Sequence, residues 1–245
     1  MGAADLHFYF DPVCPFAWMT SRWVRTVAAR RSYTVDWRFL ALRIVNEDVD
    51  YAARFPPEYE AGHTAGLRLL RVAAHVRAGH GREAVGTFYS ALGQRLFETG
   101  AGGKWAAGRD RDIPAFVAPV LADAGLPHEL VGALDDDAQD AVIRAETEEA
   151  LALTGRDVGT PILHFEPARG ADGGTAFFGP VISRLPSEDR AVELWDHVVG
   201  LARFPGFAEL KRSLRERPQL PALGVPADEV GVREDWHGGS RRQQR

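Results

Sequence analysis

The chain has 245 residues, with 29 basic against 34 acidic side chains and a formal net charge of −5. Its 45% hydrophobic and 26% charged content is that of a globular protein with a sizeable core, which excludes a wholly disordered chain, a collagen-like repeat and a disulfide-stapled miniprotein. The acidic balance argues against general nucleic-acid binding, which needs a basic patch, and no apolar run approaches the ~18 residues of a membrane span.

No basic stretch precedes an apolar core at the start of the chain, so no secretory signal is read and a cytoplasmic site is expected. Leu6-His7-Phe8-Tyr9-Phe10 is a nearly continuous apolar run, suited to a strand buried on both faces. Asp11-Pro12-Val13-Cys14-Pro15 breaks it. From Phe16 the period turns helical, with Phe16, Met19, Trp23 and Val27 on one stripe, and Pro15 suits the first helical turn. Tyr33, Val35, Trp37 and Phe39 then alternate with polar residues, as in a strand. The first 41 residues read as β–α–β.

Residues 56–155 carry helical signals only. Pro56-Pro57 opens one helix that ends at Gly79-His80-Gly81. A second holds Val85, Phe88, Leu92 and Leu96 and stops at Gly100–Gly103. A third is capped by Asp112, with Pro114 in its first turn. A short piece follows Pro127, then an acidic helix runs from about Asp137 to Thr154. Strands return at Ile162–Phe165 and Thr175–Phe178, flanking a loose Gly-rich turn. Ser187-Glu188-Asp189 starts a last core helix. A shorter helix is expected from about Gly206 to Arg215. Residues 216–245, rich in Pro, Gly and charge, read as a fraying tail that adds little to the core.

The order β–α–β, helical block, β–β–α is that of a thioredoxin fold with an inserted all-helical subdomain. The expected division is a discontinuous domain of residues 1–55 and 156–215, a helical insertion at 56–155 and the tail. Cys14 is the only cysteine, so no intramolecular disulfide can form, and neither a multi-thiolate zinc site nor any other metal site is expected. Free cysteines are often plain core residues. Here the thiol stands between a strand and a helix start, where backbone N–H groups and the helix dipole favour a thiolate. A pKa below the usual ~8.5 is therefore expected. Thr160-Pro161 lies directly before an apolar strand. In thioredoxin-like proteins a cis-proline at this point lies against the active cysteine, and the same is expected here.

Phe10-Asp11-Pro12-Val13-Cys14-Pro15-Phe16-Ala17-Trp18, with Thr20-Ser21-Arg22-Trp23 after it, resembles the DsbA-like thioredoxin-fold family. Within it the resemblance is nearest to actinobacterial mycothiol-dependent reductases, named mycothiol-dependent nitroreductases. Asp157-Val158-Gly159-Thr160-Pro161 is similar to their cis-proline loop, Phe177-Phe178-Gly179-Pro180 to their next strand and turn, and Phe207–Arg212 to their terminal helix. The family pattern is Cys-Pro-Trp-Cys, whereas this chain reads Cys14-Pro15-Phe16-Ala17. The resolving cysteine is absent, so turnover would be monothiol, with an external thiol completing the exchange. The resemblance implies mycothiol as that thiol, used as a co-substrate, with no tightly bound cofactor.

The expected site has Cys14 as nucleophile. Pro15, Phe16, Trp18, Asn46, Tyr59, Thr160 and Pro161 would hold thiol and substrate. Asn46 and Tyr59 resemble polar positions that line the family's cleft, and Phe16 and Trp18 flank the nucleophile. The histidines form no ligand pair and read as structural or solvent-facing. The leading reading is a thiol–disulfide oxidoreductase acting on small-molecule, nitroaromatic or mixed-disulfide substrates with a low-molecular-weight thiol. No nucleic-acid or membrane partner is expected, and a homodimer is compatible with the chain. Two alternatives stand beside it: a thiol-conjugate transferase or isomerase like the kappa-class glutathione transferases, and a redox-inactive binding protein.

Overall fold

The structure is a computed structural model that describes residues 4–99, 113–172 and 174–235. Four strands form the main sheet in the order β2 (Val35–Phe39), β1 (Leu6–Phe10), β3 (Ile162–Phe165), β4 (Thr175–Phe178). β1 pairs in parallel with β2, Leu6 facing Val35 and Phe10 facing Phe39. It pairs antiparallel with β3, Leu6 facing Phe165. β4 continues the sheet antiparallel to β3.

β1 is apolar at four of five positions because both of its faces are covered. Leu6, Phe8 and Phe10 join the main core, while Tyr9 faces a smaller cluster with Leu40, Ala150 and Ile162. On the main face, α1 (Pro15–Arg31) packs against α8 (Glu188–Ala202). The Trp23 ring stands edge-on to Trp195, and the Trp23 indole N–H donates to the Ala191 carbonyl at 2.9 Å.

Between the two halves of the sheet run α2 (Leu42–Val45), α3 (Tyr51–Arg54), α4 (Glu58–His80), α5 (Arg82–Gly93), a π-helical turn (Gln94–Glu98), α6 (Ile113–Asp123), a 3-10 segment (His128–Asp135) and α7 (Asp140–Thr154). No strand occurs among the described residues of 56–155. The expected cap Asp112 and the loop Gly100–Gly103 lie outside the described residues. These helices share one core with the sheet: Leu69, Phe88 and Leu121 belong to the same buried cluster as Phe8. Two glycines permit that close approach. A Cβ at Gly66 of α4 would lie 2.5 Å from an Asp11 carboxylate oxygen, and one at Gly93 of α5 would enter the Trp18 indole. Phe10 and the Tyr89 ring of α5 stack at 3.9 Å, completing the seam.

Two expectations are corrected. Residues 206–215 do not form a helix. The segment is irregular until β5 (Leu214–Glu216), which pairs antiparallel with β6 (Arg233–Asp235). Its apolar residues bury little, Leu210 being 83% and Leu214 58% exposed while Phe207 packs on Phe177 at 5.5 Å, and a short helix with so small a buried face is marginal. Nor do residues 216–235 fray. Leu220 is fully buried in the main core and Val225 is nearly so. The Gln219 N–H donates to the Ser183 carbonyl at 2.8 Å, and Arg217 pairs with Glu234 at 2.8 Å. The 3-10 turn Pro221–Leu223 lies against the π-helical turn. Composition misled here because two anchored apolar side chains suffice to dock a Pro-rich segment. Residues 236–245 lie outside the described residues.

Truncation after Leu223 removes Val225 and β6. A buried valine contributes about 1.5–3 kcal/mol, so the thermal midpoint is expected to fall by roughly 5 °C or more. Differential scanning calorimetry of the truncated chain checks this; an unchanged midpoint contradicts the docking of the tail.

Candidate active site

The site begins where β1 ends. Asp11 is fully buried, and one of its carboxylate oxygens accepts the Val13 N–H at 3.0 Å. The other accepts the Leu42 N–H at 2.8 Å. The Asp11 carbonyl accepts the Cys14 N–H at 3.1 Å. One residue thus ties the turn that carries Cys14 to the exit of β2. Cys14 is the N-cap of α1, with extended backbone (φ −79°, ψ 113°), and Pro15 occupies the first helical turn. The Cys14 sulfur accepts the Ala17 N–H at 3.4 Å and its thiol donates to the Thr160 carbonyl at 3.4 Å.

The Thr160–Pro161 peptide bond is cis, as is Gly179–Pro180. The Thr160 hydroxyl donates to the Tyr9 carbonyl at 3.1 Å, holding this loop on β1. The Gly179 N–H donates to the Pro161 carbonyl at 2.8 Å, and Thr20 of α1 donates to the Pro180 carbonyl at 2.8 Å. The two loops and the start of α1 are therefore knitted together beneath the thiol.

A cleft of about 1840 Å³ opens over Cys14. Pro15, Phe16, Asn46, Tyr59 and Thr160 all line it. Asn46 caps α2, its side-chain amide donating to the Leu42 carbonyl at 2.8 Å. Tyr59 stacks on Phe55 at 5.5 Å, beside His63. Pro161 is buried and is not among the lining residues; the Thr160 carbonyl, next to it in the chain, accepts from the thiol. Trp18 departs from its expected role. It is 2% exposed and lines no part of this cleft. Its ring lies against Gly93 and stacks on Phe97, and its N–H donates to Glu98 at 2.9 Å. It points to the helical insert and serves as core.

The expectation of a depressed thiol pKa is also corrected. Burial pushes the Cys14 thiol up to about 12, and the nearby Asp11 carboxylate adds to the rise. The N–H groups of Ala17 and Phe16 and the Arg215 guanidinium act in the opposite sense but do not prevail. The helix start is present; its stabilisation is outweighed by partial burial, Cys14 being half-buried where it lines the cleft, and by a negative neighbour. Burial likewise raises Asp11, to about 7, against the two N–H groups it accepts. Burial lowers Arg215 from its usual value, and Cys14 raises it. His63 is held near 4 by burial and by Arg43, so it is neutral at pH 7, and its ring Nδ1 lies 3.0 Å from the Tyr51 hydroxyl.

Asp11, Arg215 and His63 were not singled out from the sequence. Asp11 had a signal, a carboxylate three residues before the lone cysteine at a strand end. Arg215 had none, because its segment read as a helix. Among the described residues no group of three His, Cys, Asp or Glu is placed to hold a metal ion.

Replacing Asp11 with Asn removes the charge that opposes the Cys14 thiolate, so the thiol ionises at lower pH. Wild-type Asp11 is itself protonated below about pH 7, so the difference between the two proteins is greatest above pH 7 and shrinks below it. One N–H acceptor is lost, at a cost of about 1–3 kcal/mol in stability. Alkylation rates with iodoacetamide across pH check this: the midpoint moves down in Asp11→Asn, and an unmoved midpoint contradicts the coupling.

Comparison with known proteins gives a consistent picture. The model of the family described as Rv2466c-like, mycothiol-dependent nitroreductase Rv2466c, matches residues 13–212. The uncharacterized protein Rv2286c of Mycobacterium tuberculosis is 32% identical over 216 residues, covering 88% of this chain and 82% of that protein. A crystal structure of a protein-disulfide isomerase candidate from Pseudomonas syringae superposes with a TM-score of 0.50 at 15% identity, over 80% of this chain and 92% of that one. At that identity the likeness concerns the fold, a thioredoxin fold with a helical insert. The match to the family model runs from the Cys14 turn through the cis-proline loop and well beyond α8, and on that extent the chain belongs to the Rv2466c-like, mycothiol-dependent nitroreductase family.

Proposed function

We propose that the protein is a monothiol oxidoreductase in which Cys14 exchanges with a disulfide and an external thiol, mycothiol, resolves the adduct. The observation that carries this reading is the seat of the chain's one thiol. It caps α1 at the floor of an open cleft, against the Thr160 carbonyl. Ala17, at the position of the missing second cysteine, is fully buried. In the first step Cys14 sulfur bonds to one sulfur of a disulfide RSSR′, the S–S bond breaks, and R′SH leaves with the proton Cys14 gave up. In the second, mycothiol sulfur attacks the R sulfur, the Cys14–S bond breaks, and Cys14 regains a proton. Mycothiol and R leave as their mixed disulfide. Reduction of a nitro group fits the same cycle: Cys14 and one mycothiol give two electrons and two protons, yielding a nitroso product, water and the Cys14–mycothiol disulfide.

The chain's residues have definite roles in this scheme. The Ala17 N–H and the Arg215 charge favour the thiolate once it forms. The cleft volume of about 1840 Å³ exceeds the ~300–1,000 Å³ of a one-ligand pocket, which supports room for thiol and substrate together. Asn46, Tyr59 and Phe16 would orient them. Residues 56–155 act in this reading as a helical lid domain over residues 1–55 and 156–215, in a cytoplasmic protein. No helix among the described residues is long and apolar enough to cross a membrane.

The raised thiol pKa favours a second reading, a transferase or isomerase in which Cys14 stays protonated and hydrogen-bonds a bound thiol without a covalent step. Intact mass separates the two. After treatment with mycothiol disulfide the first reading gives one adduct on Cys14, stable until free thiol is added. In Ala17→Cys the adduct discharges without added thiol. An unmodified native protein that labels only when denatured contradicts the oxidoreductase reading and leaves the second reading or a redox-inactive binding protein.

A further inference from the structure

We infer that the protein carries a second binding site, a cavity between α1 and α5 that takes a small carboxylate with an apolar body, the carboxylate being held by Arg25. The site is independent of the thiol chemistry. Its volume is about 340 Å³, within the ~300–1,000 Å³ range of small-molecule sites, and it shares no lining residue with the cleft over Cys14. The two helices are pinned together on either side of it. On one side the Arg25 guanidinium donates to the Gly86 carbonyl at 2.8 Å and lies 4.1 Å over the Trp37 ring. On the other, Arg22 donates to Glu98 at 2.6 Å. Ser90 and Gln94, which fall between Gly86 and Glu98 in the chain, line the cavity.

The charges around the cavity are unevenly matched. Arg22 is paired with Glu98, and Glu188, which also lines the cavity, with Arg30 at 2.8 Å. Arg25 has no carboxylate partner among the described residues. It is half-buried, and its Nε is cut off from water without a hydrogen bond. Burial lowers its pKa only to about 10, so it is charged at pH 7. A buried cation without a counter-ion is costly, and a bound anion offsets that cost. The donors needed to hold one stand together. In the helical ladder of α5 the Gly86 carbonyl accepts the Ser90 N–H, so the guanidinium bonded to that carbonyl lies beside Ser90. The Ser90 hydroxyl and the Gln94 amide have no partner among the described residues and add uncharged donors to the same wall. One unpaired positive charge matches a carboxylate better than a doubly charged phosphate. Trp18, Trp23, Leu185 and Pro186 complete the lining and give an apolar surface to the rest of the ligand.

The test follows the indole N–H signals of Trp18 and Trp23 in 15N-labelled protein, since both side chains line the cavity. Titration with benzoate is expected to move both signals and to saturate. Its neutral counterpart benzamide is expected to bind about tenfold more weakly, the factor that one charge-assisted hydrogen bond supplies. Arg25→Gln should bring benzoate to within about threefold of benzamide, and Arg25→Lys should keep benzoate ahead. Ser90→Leu fills the cavity from α5 with Arg25 in place and should abolish both responses, so the test does not hang on the folding of one variant. Four results each overturn the inference: no saturating response to benzoate, equal binding of benzoate and benzamide, benzoate binding unchanged in Arg25→Gln, and inorganic phosphate binding as tightly as benzoate.

Discussion

The Asp11 carboxylate is cut off from solvent and accepts two backbone N–H groups, one from the turn before Cys14 and one from the chain leaving β2. Gly66 of α4 stands against the same carboxylate. Three segments distant in sequence therefore meet at one acidic side chain: the nucleophile's turn, the short helix that carries Asn46, and the long helix that roofs the cleft. Hydrogen bonds to a charged acceptor are worth about 1.5–3 kcal/mol each, while burying the charge costs several. Burial outweighs the two hydrogen bonds and leaves the carboxyl titrating at about 7, where small changes in its surroundings change its charge.

That balance governs the thiol above it. A cysteine at a helix start, with N–H groups aimed at its sulfur, has the local features of an activated nucleophile. Burial and the Asp11 charge override them, and the thiol proton is spent on the Thr160 carbonyl. Two groups stand ready to favour the thiolate, the Ala17 N–H and Arg215. The β5–β6 hairpin that presents Arg215 is thus part of the site's electrostatics, and its anchors Leu220 and Val225 link it to the core.

Much of the fold was legible because β1, α1, β2 and the helices of residues 56–155 carry strong periodic patterns and clear punctuation by Gly and Pro. The Cys14 and Thr160-Pro161 segments were legible for a related reason, since each is a break between patterns. What escaped were features set by tertiary contact. Trp18 sits next to the nucleophile in sequence, but the helical turn points it at Gly93 and Glu98. Residues 206–215 carry helix-like spacing but bury little beyond Phe207, so the segment stays irregular until Leu214–Glu216 pair as a strand. The thiol pKa followed burial and a carboxylate three residues away, neither of which is contained in a helix-start motif. Arg215 became visible only once the hairpin was seen beside the cleft.

The claim at the centre is that burial and Asp11 keep Cys14 protonated through neutral pH. Because the chain has one cysteine, its β-carbon gives a single assignable signal in protein labelled with 13C-cysteine. Titration of that chemical shift in the ligand-free protein is predicted to show no thiolate step between about pH 6 and pH 9, the range that brackets the ordinary cysteine value. A step near or below the ordinary ~8.5 would contradict the claim and return the site to a thiolate held ready by its helix start.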